Sequence, residues 1–301
     1  MRTITFETYG DPSVLHLADA DTPTPSPTQV RVAIRRIGIN PFDIKLRSGA
    51  LQQFHTIELP TVPGSEIAGV IDAIGTDVTD LTVGDTVFGW SDTGAYADYA
   101  LATNVIRTPI AMTWERAASL PVAGEAALRA LRMLDVQRGN TLLIHGVAGN
   151  VGTIAARIAL ARGITVVGTA RQANHRMLRE IGVTPENSGH GWVEAVKAAA
   201  PSGITAILDT TGGGFLPESI DLMRGPDRIV TLADPAAYPL GVRFAAGGPD
   251  DLTADVLDEL STLSASLVLP DPRIFELDDA AAAHAAIETG GFRGKTLLTT
   301  E

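Results

Sequence analysis

The sequence predicts an α/β fold in two parts, a β-rich part and a doubly wound parallel sheet. Three observations carry this. Short strands recur at roughly ten-residue spacing through the first third, as in small barrels and sandwiches. Strand and helix patterns then alternate, which implies βαβ units and a parallel sheet. An apolar strand at 141–145 runs through a Gly-rich turn straight into a helical pattern.

The elements follow in order. Residues 1–7 alternate like a strand and lack the apolar centre of a signal peptide. Residues 30–37 alternate apolar and polar, and 66–75 are β-branched and bounded by Gly. Shorter strands are predicted at 84–89 and 95–100, and Pro23, Pro25 and Pro27 mark an extended surface connection. Thr113 is a candidate N-cap for 113–119, with Arg116 where a full capping box has Glu or Gln. A helix at 125–134 is rich in Ala and Leu. Strands at 141–145, 165–168, 206–209 and 228–232 then alternate with helices at 151–162, 174–181, 192–200 and 215–223. The last elements are a helix at 252–264, a strand near 265–269, a helix at 278–288 and a strand at 295–299. No internal repeat is present.

Composition excludes several classes. The chain has 301 residues, no cysteine and a net charge of −12. Without Cys there are no disulfides, thiolate zinc sites, iron–sulfur clusters or Cys nucleophiles. The acidic balance is unsuited to nucleic acid or anionic membrane. No apolar run approaches the ~18 residues of a membrane span, so a soluble cytoplasmic protein is expected.

The Gly-rich turn carries the most information. Gly146, Gly149 and Gly152 fall at three-residue spacing, with Ala148, Asn150 and Val151 between them. Small residues let the backbone approach a pyrophosphate, and the following helix offers free N–H groups and the positive end of its dipole. The strand–turn–helix context points to a dinucleotide. An NAD site has an acid at the end of its second strand to hold the ribose 2′-hydroxyl. This strand ends Gly168, Thr169, Ala170, Arg171, with Asn174 and Arg176 beyond. Arg171 stands where a 2′-phosphate is held bidentately, so NADPH is expected rather than NADH.

These residues, with 40–49 (Asn40 to Gly49), resemble the medium-chain dehydrogenase/reductase superfamily, in its zinc-independent quinone oxidoreductase-like branch. Further matches are Pro63, Gly64 and Glu66, then Gly84 and Asp85, Gly94 to Tyr96, Ala118 to Pro121, Asp209 to Gly213, and Gly294 with Lys295. They run in family order from about residue 30 to the end. Zinc members place Cys where Asn40 stands and His where Ser65 stands. The Cys-rich lobe is missing, because Gly89 leads almost directly to Gly94, so no metal site is expected. The resemblance implies a GroES-like catalytic domain from 1–115 and 270–301, a Rossmann domain at 116–269, and a homodimer joined through the latter.

The resemblance also implies the site. Hydride transfer without a metal needs another group to stabilise the charge that develops on the acceptor oxygen. Quinones and α,β-unsaturated carbonyls, whose charge is delocalised, suit this best. Asn40 is expected to hold the nicotinamide region or the substrate. Lys45 is expected to donate to a carbonyl oxygen or enolate, a solvated surface lysine being the competing reading. Asp43 and Arg47 are expected to brace the segment as an ion pair. Thr210, Thr211, Gly212 and Gly213 are placed along the adenine or ribose side, Leu232 and Ala233 near the nicotinamide ribose, and Lys295 over the nicotinamide or diphosphate. Two functions follow. One is an NADPH-dependent reductase of a quinone or activated alkene. The other is a non-enzymatic NADPH-binding protein, regulatory or structural, on the same fold.

Overall fold

The computed structural model describes all residues except Phe54, Ser266 and Val268. The strand expected near 265–269 therefore lies partly outside the described residues. Two compact units are present: Met1–Val122 with Leu252–Thr262 and Pro270–Glu301, and Ala123–Asp251 with Leu263–Leu269.

The first unit is built on the strand Val30–Ile39. One of its edges pairs antiparallel with Glu66–Ile74. The other edge is shared: Tyr99–Ala102 takes its first half and Thr296–Thr299 its second. The sheet continues outward through Thr86–Trp90 and Val105–Arg107 on one side and Arg273–Glu276 on the other. Alternation drives this for Val30, Val32 and Ile34, and a register shift after Ile34 brings Ile37 to the same core, among Ile67, Ile71, Val87 and Leu298. A hairpin of Arg2–Thr5 and His16–Asp19 adds Ile4 and Phe6 to that core.

The strand expected at 95–100 forms later, as Tyr99–Ala102. Residues 95–98 bond elsewhere: Ala95 and Tyr96 N–H donate to Pro63 O, and Tyr96 O accepts from Ile4 N. Pairing with the N-terminal strand therefore overrides ladder formation there. Residues 41–48, which carried no element in the sequence reading, form the helix Pro41–Ser48. Its signals were present: Asn40 as N-cap, Pro41 at the first position, and Gly49 closing it at φ +81°.

The second unit is a six-stranded parallel sheet. The spatial order is Thr184–Asn187, Thr165–Ala170, Thr141–His145, Ala206–Asp209, Ile229–Thr231, Arg243–Phe244. That is the doubly wound dinucleotide-binding arrangement, with its order reversing between Thr141–His145 and Ala206–Asp209. Ligands bind beyond the carboxyl ends of strands at such a reversal. The fold class read from the sequence is therefore present. The outer strands Thr184–Asn187 and Arg243–Phe244 were not foreseen, being short and polar or only two residues long. Among the described residues no helix is long and apolar enough to cross a membrane.

Candidate functional site

Two groups of side chains stand out, one in each unit. In the second unit Thr141–His145 turns through Gly146 into the helix Asn150–Ala161. Gly146 adopts φ +74°, which L side chains rarely adopt. A Cβ on Gly152 would lie 2.4 Å from Gly146 O, so only hydrogen fits where helix and turn approach. Thr153 Oγ1 donates to Val147 O at 3.0 Å and fixes the turn from beneath. The first-turn N–H groups of Asn150, Val151 and Gly152 have no acceptor within the helix. Ala148 and Gly149 complete a cradle without bulk, open to an anion.

The neighbouring strand ends are fixed by Asp209. Its buried carboxylate accepts from Thr211 N and Oγ1, Gly212 N, and Thr231 Oγ1. Thr210 Oγ1 donates to His145 O at 2.8 Å. A Cβ on Gly212 would meet Ala233 O at 2.8 Å, so these two turns lie against each other. Thr210, Thr211, Gly212, Leu232 and Ala233 thus gather at the carboxyl ends of the strands. Arg171 is exposed at the end of Thr165–Ala170, and its guanidinium has no partner among the described residues. Arg176 is also exposed but is paired with Glu180 at 3.0 Å. Asn174 is buried.

Thr169, expected from its place at the end of the second strand to bind the cofactor, turns its side chain away from that end. Its buried Oγ1 bonds His145 Nδ1 at 3.0 Å, which turns it toward the interior. His145 Nε2 meets Ser219 Oγ at 3.1 Å, and the ring stacks on Phe215 at 4.4 Å. Burial pushes the His145 pKa down to about 4, against the opposing pull of Asp209. This imidazole is a neutral packing group.

In the first unit the sheet register builds a buried polar cluster. Thr296 pairs with Ile39, which sets Lys295 opposite Asn40, and Glu66 pairs with Gly38. Lys295 Nζ donates to Asn40 Oδ1 and to Glu66 Oε2, both at 2.5 Å. Asn40 Nδ2 donates to Glu66 Oε2 at 3.0 Å, and Val122 N donates to Glu66 Oε1 at 3.0 Å. All three side chains are at most 4% exposed. Gly38 is required here, since a Cβ would strike Glu66 Oε2 at 2.1 Å. The Asn40 amide is therefore held in one orientation.

Asp43 turns back to accept from Asn40 N at 2.7 Å. Its burial pushes its pKa up to about 7; the Asn40 N–H and Lys295 pull it down, and Glu66 pushes it further up. The expected Asp43–Arg47 ion pair does not form. Asp43 faces the N-terminal end of its helix. Arg47, one turn on, donates from Nη1 to Gly10 O at 2.5 Å and pairs through Nη2 with Glu288. Behind this lie Tyr96 and His284, bonded through Oη and Nε2 at 2.9 Å, with burial pushing the tyrosine pKa well up and the histidine down to about 4. Lys45 is exposed on the same helix, and its ammonium has no partner among the described residues.

Residues 26–110 match the alcohol dehydrogenase GroES-like domain family. Human quinone oxidoreductase is 30% identical over 252 residues, covering 81% of this chain and 76% of that protein. The chain belongs to the quinone oxidoreductase family. This places it in the medium-chain dehydrogenase/reductase superfamily, as its motifs suggested. The quinone oxidoreductase of Coxiella burnetii superposes with a TM-score of 0.88 at 31% identity, covering 100% of this chain and 99% of that one. A mycobacterial protein, Rv1454c, solved with NADPH, superposes at 0.86 with 26% identity, covering 99% of this chain and 100% of that one.

Sequence reasoning assigned Lys295 to a cofactor and gave Glu66 no role. The structure joins both to Asn40. The sequence signal was a charged residue at the apolar start of each strand, Glu66 before Ile67 and Lys295 before Thr296. Lone charges in such positions need partners when buried.

Proposed function

We propose that the chain is an NADPH-dependent oxidoreductase that transfers hydride to a quinone or an activated α,β-unsaturated carbonyl. The observation that carries this reading is the glycine cradle of Gly146–Gly152 beside an exposed Arg171 at the end of the second strand, without a partner among the described residues. The NADPH-bound relative and the quinone oxidoreductase relatives support it. The pyrophosphate is held by the N–H groups of 150–152, and Arg171 with Asn174 and Arg176 faces the 2′-phosphate. Thr210, Thr211, Gly212, Leu232 and Ala233 line the remainder. When bound, the nicotinamide supplies the hydride.

The protein's own groups do the rest. Asn40, its amide fixed by Lys295 and Glu66, is the proposed contact for the nicotinamide or substrate. Lys45, exposed and without a partner among the described residues, donates a proton to the acceptor oxygen as negative charge develops there. Asp43, Arg47 and Lys295 hold the segment in place. The reaction is proposed to be zinc-independent. Where zinc members carry a Cys, this chain has Asn40, and its oxygen already accepts from the Lys295 ammonium at 2.5 Å. A second cation there would meet like charge, so the donor set does not fit zinc.

A cytoplasmic homodimer is part of the proposal. Among the described residues the edge strand Arg243–Phe244 has no strand on its outer side, and the exposed Tyr238 ring stacks on Phe244 at 5.5 Å, which favours a second copy pairing there. Lys45→Ala tests the catalytic assignment. It is exposed, so folding is retained, and kcat/KM for quinone or enone reduction is expected to fall about 100-fold. An unchanged kcat/KM on every accepted substrate removes Lys45 from the mechanism.

A further inference from the structure

Arg273 opens the edge strand Arg273–Glu276, its backbone N–H bonded to Lys295 O at 2.9 Å. Its guanidinium carbon lies 5.3 Å from the Phe275 ring centre and 4.6 Å from that of Phe292. Both distances are within cation–π range. Yet its Nε and Nη2 are out of solvent and have no hydrogen-bond partner among the described residues. Buried donors nearly always have a partner, and leaving a charged one unpaired is costly. Nε and Nη2 form the edge of the guanidinium that matches two oxygens of a carboxylate or phosphate side by side.

Of the two rings stacked on the guanidinium face, Phe292 is the exposed one. Phe292 is 40% exposed, unusual for a ring of its size, so lifting it sacrifices little burial. It stands between Gly290, Gly291 and Gly294, with φ of +74°, +88° and +99°. Glycines on both sides give the segment freedom that no other residue offers. Phe292 is thus an exposed aromatic flanked by glycines, resting on the guanidinium face by a cation–π contact.

We propose that Arg273 is the receiving group of an oxyanion site for a carboxylate or phosphate of a small molecule, with Phe292 as its hinged cover. Its residues belong to the first unit and those of the glycine cradle to the second. The oxyanion takes both free donors of Arg273 and displaces Phe292, while Phe275 remains stacked beneath.

The test uses the full chain with its phenylalanine rings isotopically labelled, titrated with inorganic phosphate and, separately, acetate. Eight Phe signals are expected, and Phe292→Ala identifies the ring of interest by its loss. Either anion should shift the Phe292 and Phe275 signals together; the tighter of the two names the ligand class. Arg273→Lys keeps the charge but loses the paired donors, and should weaken binding at least ~10-fold. Phe292→Ala removes the cover and should tighten binding roughly 2–5-fold, the factor corresponding to one exposed cation–π contact. The proposal is overturned if neither anion moves these two rings, if Arg273→Lys binds like wild type, or if Phe292→Ala leaves affinity unchanged. Phosphate that perturbs other signals but not these two overturns it as well.

Discussion

Replacing Lys295 by Met removes the only cation of the Asn40–Glu66–Lys295 cluster while keeping its volume. Glu66 Oε2 then loses a 2.5 Å charge-assisted bond and retains only the 3.0 Å amide bond from Asn40. Glu66 is fully buried, so its charge is left without compensation. Breaking a buried pair in this way costs about 3–5 kcal/mol, a large share of the ~5–15 kcal/mol that holds a domain. Two bonds remain on Glu66, from Asn40 and from Val122 N, so the lower end of that range is expected. The cost is read by hydrogen exchange in the strand Val30–Ile39, whose protection reports the first unit by itself. Adding Glu66→Gln removes the orphaned charge, and the double variant should lose distinctly less than the sum of the two singles. A loss below about 1 kcal/mol for Lys295→Met, or strict additivity in the double variant, refutes the reasoning.

Three further predictions follow. Asp43 has its pKa raised from 3.8 to about 7 by burial, so its contribution to stability is fully present below the unfolded value and is lost as pH rises through about 7. Asp43→Asn should flatten the dependence of the unfolding midpoint on pH between these values; an unchanged slope contradicts the assignment. Gly152→Ala places a Cβ 2.4 Å from Gly146 O, and should abolish NADPH binding in fluorescence titration while the first unit keeps its hydrogen-exchange protection. Arg171→Ala should weaken NADPH by roughly 10–150-fold, the equivalent of one charged phosphate contact, and leave NADH nearly unchanged. An equal loss for both cofactors removes Arg171 from the 2′-phosphate.

The central strands of the parallel sheet were legible because they are apolar and separated by helical patterns, and two glycines of the turn have steric reasons to be glycine. Gly146 holds φ at +74° and Gly152 lies where helix backbone approaches turn backbone, and local sequence encodes both. The polar cluster was less legible. Asn40, Glu66 and Lys295 are far apart in the chain and meet only because the C-terminal strand pairs with the end of Val30–Ile39. No local pattern encodes that register. The Asp43–Arg47 pairing failed for the same reason, since Arg47 finds Glu288 across a long sequence separation. Thr169 was misplaced because alternation along a strand gives a side chain's face, but not the His145 waiting beneath it.

The central claim is hydride transfer from NADPH to a conjugated acceptor without zinc. It is tested most directly by following nicotinamide absorbance with NADPH and with NADH against a panel of quinones and enones, in the presence of a strong chelator. Oxidation of NADPH by at least one panel member, much faster than that of NADH and unaffected by the chelator, is the predicted result. Equal rates with both cofactors, loss of activity on chelation, or tight NADPH binding with no oxidation by any acceptor would contradict it.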